Sequence, residues 1–286
     1  MSVVILRNAG SGRGKGGIEV SRLVSRLRAM GIVHQVLDVR RDVVRDEALV
    51  SALSGASSLI IAGGDGTVHH AAPLAMEAGV PILHFPTGTE NLFAREFGLR
   101  RNPDAIINAI QRAESIRVDV GMCRERPFLL MGSMGFDSGI VERVAAARTG
   151  AISRATYIRH GLGEFIRPRF TPFTLRVDGV ELVDTRTGML IVANSRQYAA
   201  RLDPARDASM RDGILDVIFL PISSRVDIVR RGLQVLRGTH LRDSSVLRAR
   251  GRSVTVIPAT ESPLQLDGEH AGLQPAGAVL EFGIRP

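Results

Sequence analysis

The stretch from Ser58 to Val68 constrains this chain more than any other. Ser58-Leu59-Ile60-Ile61-Ala62 is an apolar run of strand length, and it stops abruptly at Gly63-Gly64-Asp65-Gly66-Thr67. Val68 to Ala78 has helical character and closes with Gly79. Strand, glycine turn and helix form the unit in which backbone N–H groups converge on an anion at a helix N-terminus. Glycine lets the backbone take positive φ and lets a ligand come within hydrogen-bond reach of the main chain. Here Gly63, Gly64 and Gly66 surround one carboxylate. A carboxylate repels bare phosphate, so Asp65 points to a Mg²⁺ ion, or a hydroxyl to be oriented, between it and the phosphates. The alternative at this stage is a tight turn in which Asp65 caps the helix.

The rest of the composition bounds this reading without deciding it. A chain of 286 residues with 44% hydrophobic and 23% charged residues holds enough apolar material for one large or two ordinary domains. No apolar run approaches the roughly 20 residues that cross a bilayer, and the opening Met1–Arg7 lacks the layout of a signal peptide. With Cys123 as the only cysteine, no intrachain disulfide forms, and a reducing, cytoplasmic setting is expected. The net charge is +8, carried almost wholly by arginine, with Lys15 the only lysine. Arginine favours planar contacts with phosphate, but a basic surface also suits nucleic acid or an anionic membrane, and codon bias produces the same excess.

Strand and helix patterns alternate through the first 120 residues. Ser2–Asn8 reads as a strand, followed by the glycine-rich loop Gly10–Gly17 and a helix over Ile18–Met30. That loop satisfies the Gly12-x-Gly14-x-x-Gly17 dinucleotide spacing, with Asp38 at the distance of a ribose-binding acid. It is not a Walker loop, because Gly16 follows Lys15. Asn8 and Ser11 are its side-chain donors, and a surface loop without ligand stays open. Further strands are expected at Ile32–Val39, Val80–Phe85 and Ser115–Val120, with helices at Val43–Leu53 and Pro103–Gln111. Pro86-Thr87-Gly88-Thr89-Glu90-Asn91 adds another strand–loop–helix turn rich in small and hydroxyl residues. The alternation predicts a doubly wound parallel sheet with ligand loops beyond the strands' C-terminal ends.

Beyond about Gly121 the pattern becomes antiparallel β, divided by Asp178-Gly179, Asp212-Gly213 and Asp267-Gly268. Strands are expected at Phe128–Met131, Phe173–Val177, Gly188–Ala193, Leu215–Leu220, Ser253–Ile257 and Val279–Gly283, and helices near Gly139–Arg148, Arg154–Phe165 and Ile222–Arg237. The expected organisation is an α/β nucleotide lobe over residues 1–120 and an antiparallel, β-sandwich-like lobe over 121–286.

In order, Asn8-Ala9-Gly10-Ser11-Gly12, Gly63–Thr67, Pro86–Asn91, Gly135-Phe136-Asp137, Asn194 with Tyr198, Asp212–Asp216 and Leu266-Asp267-Gly268-Glu269 resemble the diacylglycerol kinase-like lipid kinases, a family that includes sphingosine kinases and is distantly similar to NAD kinases. The resemblance implies two lobes with ATP and a lipid acceptor meeting in a cleft, and Mg²⁺-assisted transfer of the γ-phosphoryl group to a lipid hydroxyl. It implies Asp267 as the base, Glu269 as a metal or phosphate partner and Asp65 as an organiser of Mg²⁺. Asn8, Ser11, Gly12, Gly63, Gly64, Gly66, Thr67, Gly88, Thr89 and Asn91 would form the nucleotide site. A second, structural metal would sit on Asp212 with the carbonyls of Ser209 and Ile214. Plain turns at Asp267-Gly268 and at Asp212 are the competing accounts.

Three departures bear on the site. Leu92 stands where many relatives carry Asp, and Glu90 is expected to compensate in part. His69-His70 replace the usual Asn-Glu, and Pro73 is expected to kink or shorten their helix. Ala199-Ala200-Arg201 replace a glycine cluster. Arg143, Arg148, Arg154, Arg159, Arg167 and Arg169 among Ile152, Tyr157, Ile158, Leu162, Phe165 and Ile166 suggest an interfacial stretch that binds anionic vesicles, or an ordinary helix with a solvated basic face. The expected partner is a lipid at a membrane surface, not nucleic acid, and a homodimer stays open. The alternatives are a kinase of a soluble acceptor or a nucleotide-binding regulatory protein without transferase activity.

Overall fold

A computed structural model describes residues 2–8, 15–39, 47–147 and 154–286. The loop residues Ser11 and Gly12, and Arg148 and Ile152 of the basic stretch, lie outside the described residues. The chain divides into two units, Met1–Ile116 and Arg117–Pro286.

In the first unit, β1 (Ser2–Asn8), β2 (Val33–Val39), β3 (Ser58–Gly63) and β4 (Ile82–Pro86) form a parallel sheet in the order β2-β1-β3-β4. All six residues of β3 are buried, as a strand with both faces covered requires. Helices α1 (Lys15–Ala29) and α5 (Pro103–Arg112) place Val20, Leu23, Leu27, Ile106 and Ile110 against Val3, Ile5 and Ile60. Helices α2 (Glu47–Leu53) and α3 (Asp65–Ala78) contribute further buried apolar residues, and α2 contacts both α3 and β1. A short α4 (Leu92–Glu96) follows the loop after β4. The chain leaves β1 toward β2 and then returns to β1's other side for β3, so the topological switch lies between β1 and β3. Register pairs Arg7 with Ala62 and Gly63 with Pro86, which aligns Asn8, Gly63 and Pro86 along the sheet's C-terminal edge.

Two local expectations change. The helix after the glycine turn is not shortened by Pro73: α3 is continuous and begins three residues early, at Asp65. No strand forms over Ser115–Asp119, where Ile116 is exposed and the Asp119 N–H is spent on the Met210 carbonyl (2.7 Å). The strand in that region is β5 (Val120–Cys123), paired with β6 (Arg126–Phe128).

The second unit is an antiparallel sheet that curls on itself in the order β14-β13-β7-β9-β8-β12-β15-β5-β6, with β10 between β9 and β11. Its members are β7 (Met131–Met134), β8 (Pro172–Val177), β9 (Val180–Ala193), β10 (Leu215–Pro221), β11 (Leu247–Gly251), β12 (Ser253–Pro258), β13 (Ser262–Leu266), β14 (Glu269–Gln274) and β15 (Leu280–Arg285). The 14-residue β9 pairs with β8 through its first half and with β7 and β10 through its second. Gly188 marks the crossing, where a Cβ would lie 2.5 Å from the Phe219 ring. Phe128, Phe173, Phe219 and Phe282 fill the enclosed core. Helices α6 (Phe136–Ala146), α7 (Arg154–Ile166) and α8 (Arg225–Arg237) complete the unit.

Candidate active site

The C-terminal ends of β1, β3 and β4 are tied to the turns that follow β3 and β4 by polar groups. Asn8 Nδ2 donates to Thr67 Oγ1 (3.0 Å), which joins the first strand end to the start of α3. Thr87 N donates to the Gly63 carbonyl (2.9 Å), and His84 Nε2 reaches the same oxygen at 3.0 Å. Burial lowers the His84 pKa to about 4 against the opposing pull of that carbonyl, so at neutral pH the ring is uncharged, with its proton on Nε2. His84 escaped the sequence reading because a histidine inside an apolar strand carries no local signal of its partner.

The glycines have a packing reason as well as a ligand-binding one. A Cβ on Gly88 would sit 2.5 Å from Gly64 Cα, and one on Gly63 would meet Thr67 Oγ1 at 2.4 Å. The second and third loops therefore cross backbone on backbone. Asn91 locks the third loop: its Oδ1 accepts from Gly88 N and its Nδ2 donates to Gly88 O, both at 2.9 Å, with Asn91 itself at φ 51. Thr89 is exposed on the same turn, beside the half-buried Glu90. Asp65 is the first residue of α3 rather than its cap, a position held by Gly64. Its Oδ1 accepts from Phe93 N (3.1 Å), one of the N–H groups at the start of α4. The turn-and-cap reading of Asp65 thus gives way to a carboxylate that bridges two loops. Leu92 is buried in the first turn of α4, where an Asp would carry its charge into the core. Asp38, considered as a ribose ligand, is held in an exposed ion pair with its cross-strand partner Arg7 (2.5 and 2.7 Å).

In the second unit, Asp267 and Gly268 have φ values of 53° and 82° and join β13 to β14 in a tight hairpin. The Asp267 carboxylate is buried and accepts three backbone N–H groups, from Leu129 (2.8 Å), Leu130 (2.7 Å) and Met131 (3.1 Å). Asn194 steadies that donor segment by donating to the carbonyls of Leu129 and Asp119, both at 2.8 Å. Gln265 accepts from Gly268 N (2.7 Å) and donates to Ser133 Oγ (2.7 Å). Ser133 in turn donates to Asp137 Oδ2 (2.5 Å), which also accepts from the Tyr198 hydroxyl (2.7 Å). Burial raises the pKa of Asp137 against these hydrogen bonds, and burial followed by the Asp137 charge raises that of Tyr198. Glu269 is half-buried at the start of β14, in register with Leu266.

At the Asp212 turn a guanidinium stands where a metal was expected. Arg250 Nη2 donates to Asp212 Oδ2 (2.5 Å), and its Nε lies 3.2 Å from Asp216 Oδ1, its cross-strand partner. Ile214 donates its N–H to Asp212 Oδ1 (3.3 Å). The metal expected at this turn draws on one carboxylate and the carbonyls of Ser209 and Ile214. Among the described residues no group of three or more His, Cys, Asp or Glu is placed to hold one. The Asp65 region is different in kind, because Mg²⁺ in kinases is commonly held by one or two carboxylates with substrate phosphates and water.

Two family models divide the chain. The diacylglycerol kinase catalytic domain matches residues 2–123, and the YegS C-terminal NAD kinase beta sandwich-like domain matches residues 131–284, more than half of the chain. The chain belongs to the diacylglycerol kinase-like lipid kinase family. Among its relatives, the diacylglycerol kinase of Mycobacterium tuberculosis is 28% identical over 89% of this chain and 84% of its own. That of Bacillus subtilis is 26% identical over 79% and 75%. A diacylglycerol kinase crystal structure from Bacillus anthracis matches the fold with a TM-score of 0.73 at 19% identity, covering 99% of this chain and 93% of its own. The yeast NADH kinase complexed with NADH matches at 0.56 and 11%, covering 100% and 78%. The catalytic-domain model thus falls on the parallel-sheet unit and the beta sandwich-like model on the antiparallel one. Within this family the Ala199–Arg201 departure leaves a mark: Ala200 and Arg201 hold φ of 55° and 59°, a left-handed backbone made without glycine.

Proposed function

We propose that this protein phosphorylates a lipid hydroxyl with ATP, the acceptor being diacylglycerol or a related lipid at a membrane surface, with the protein peripheral to the cytoplasmic face. The observation that carries the reading is the pair of glycine loops crossed at Gly64 and Gly88 in a lipid kinase chain, because glycines at successive strand–helix turns let a phosphate chain come close to the backbone. In this reading Asn8, Gly64, Thr67, Thr89 and Asn91 hold the nucleotide. Asp267 orients the acceptor hydroxyl and takes its proton as the oxygen bonds to the γ-phosphorus. The bond from that phosphorus to the β,γ-bridging oxygen breaks, and ADP leaves with the electron pair. Proton loss comes late in such a transfer, so a carboxylate is base enough. Mg²⁺, when bound through Asp65 and the phosphates, supplies charge neutralisation. Glu269 would add a metal or phosphate contact and Glu90 would compensate in part for Leu92, while a structural metal would sit on Asp212 with the carbonyls of Ser209 and Ile214.

Labelled ATP mixed with a total lipid extract tests the reading. The wild type transfers label to a lipid, whereas Asp65→Ala and Asp267→Asn do not. Transfer that survives both substitutions overturns the assignment. The buried Leu92 favours one second reading, a nucleotide-binding regulator without transfer, which predicts ATP binding with no labelled lipid from any extract.

A further inference from the structure

The Asp267 turn has a support that the proposed chemistry leaves unassigned. In a two-residue hairpin, the pairing of Leu266 with Glu269 leaves the N–H of the second turn residue, Gly268, outside the ladder. Gln265 supplies its partner, with Oε1 accepting from Gly268 N at 2.7 Å. Asp267 holds a φ of 53°, a left-handed backbone that an L-residue keeps only where its surroundings fix it. On the other side of that residue, Asp267 N donates to the Met131 carbonyl (2.8 Å). The backbone is thus held before and after the Asp267 Cα, and one of the two holds is a side chain.

That side chain can act in only one orientation. A backbone N–H can only donate, so the amide atom that faces Gly268 is the Gln265 oxygen. The amide nitrogen then faces Ser133 Oγ (2.7 Å), its direct cross-strand neighbour on β7. Ser133 must accept that bond, and its own proton goes to Asp137 Oδ2 (2.5 Å) in the first turn of α6. The Asp137 carboxylate also accepts from the Tyr198 hydroxyl on Oδ2 and from Ser138 N on Oδ1, both at 2.7 Å. Every donor from Gly268 onward therefore points toward Asp137. An Asn at 137 could not serve all three donors, because its amide nitrogen would face either the two hydroxyls or the Ser138 N–H. If it faced the hydroxyls, Ser133 would turn its proton toward Gln265 and set the amide against the Gly268 N–H. Gln265 and Ser133 are buried, so water does not readily replace a lost partner and a break is felt along the chain.

We propose that Gln265, fixed in one amide orientation by Ser133 and the Asp137 carboxylate, is the positioning residue of the Asp267 turn. This rests on the reading of Asp267 as the base and names the side chains that aim it. The test joins steady-state kinetics to hydrogen exchange of the Gly268 amide, followed by NMR on the full chain. Gln265→Leu removes both bonds and lowers kcat about 10- to 100-fold, the cost of a misplaced reacting group, with KM for ATP unchanged. Ser133→Ala and Asp137→Asn do not touch the turn, yet both speed Gly268 exchange and lower kcat in the same sense. In an Asp267→Asn background, Gln265→Leu changes the residual transfer by less than about threefold, because the group it aims is already gone, whereas independent sites would multiply. Where Gln265→Leu does not fold, Ser133→Ala, which removes one oxygen, takes its place in both backgrounds. A wild-type kcat in Gln265→Leu, or full multiplication with Asp267→Asn, overturns the proposal and leaves Asp267 as the base. Unchanged Gly268 exchange in both Ser133→Ala and Asp137→Asn also overturns it. If Asp267→Asn transfers at the wild-type rate, or the wild type phosphorylates no lipid, the base reading fails. Faster Gly268 exchange in the two remote variants then still supports Gln265 as the hold on the turn.

Discussion

Asp65 and Asp267 are both carboxylates that receive backbone N–H groups, and they are built in opposite ways. Asp65 sits in a local motif: the strand, the glycines and the helix that place it are contiguous, and its N–H donor, Phe93, lies 28 residues on. Asp267 stands on a two-residue turn, and its three donors come from residues 136 to 138 positions earlier in the chain. The first is a glycine turn whose geometry is written in adjacent residues. The second is an oriented acceptor assembled by sheet topology. Their difference suits the proposed division of labour, in which the first unit would bind the nucleotide and the second would carry the proton transfer.

The largest effect that would break this comparison is at Asp267. Asp267→Asn is expected to slow transfer by about 10²- to 10⁴-fold, the usual worth of a positioned base, in steady-state kinetics. A rate near wild type would reduce Asp267 to a turn residue.

Next comes His84, which holds the Gly63 carbonyl. Its folded pKa, about 4, is below the ordinary 6.5, so the unfolded chain binds the extra proton first. The stability due to neutral His84 is therefore full above pH 6.5 and is lost as pH falls toward 4, by up to roughly 3 kcal/mol. Asp137 and Asp216, whose pKa values are raised chiefly by burial, slope the opposite way in any variant. Urea unfolding of wild type minus His84→Gln across pH 4–7 isolates the histidine. A difference independent of pH would contradict its buried, neutral state.

Gly88→Ala is expected to cost about 1–3 kcal/mol and to weaken ATP binding, because its Cβ would meet Gly64 Cα at 2.5 Å. Gly64→Ala, with 3.2 Å of room, should cost less. Equal melting temperatures for the two variants would show that the loops do not cross as described. The smallest effect is expected in the second unit: Ala200→Gly relieves a left-handed alanine and should stabilise by about 1 kcal/mol in the same assay.

What could be read from the sequence follows the same division. The β3–α3 turn and the Asp267-Gly268 hairpin were legible because glycine and Asp-Gly signals act on neighbouring residues. The Ile116-Val118-Val120 alternation misled because strand periodicity cannot report that Ile116 has no core to face. At Asp212 the paired Arg250 arrives only through β10–β11 pairing, which no local spacing announces. His84, Gln265 and Ser133 gained their roles from partners brought by the fold, so no spacing announced them.

The most direct measurement puts both halves in one experiment: ATP binding by calorimetry and label transfer to diacylglycerol, on the same samples of wild type and Asp267→Asn. The division of labour predicts that Asp267→Asn binds ATP as tightly as wild type and transfers essentially no label. Lost ATP binding, or transfer retained at the wild-type rate, would contradict it.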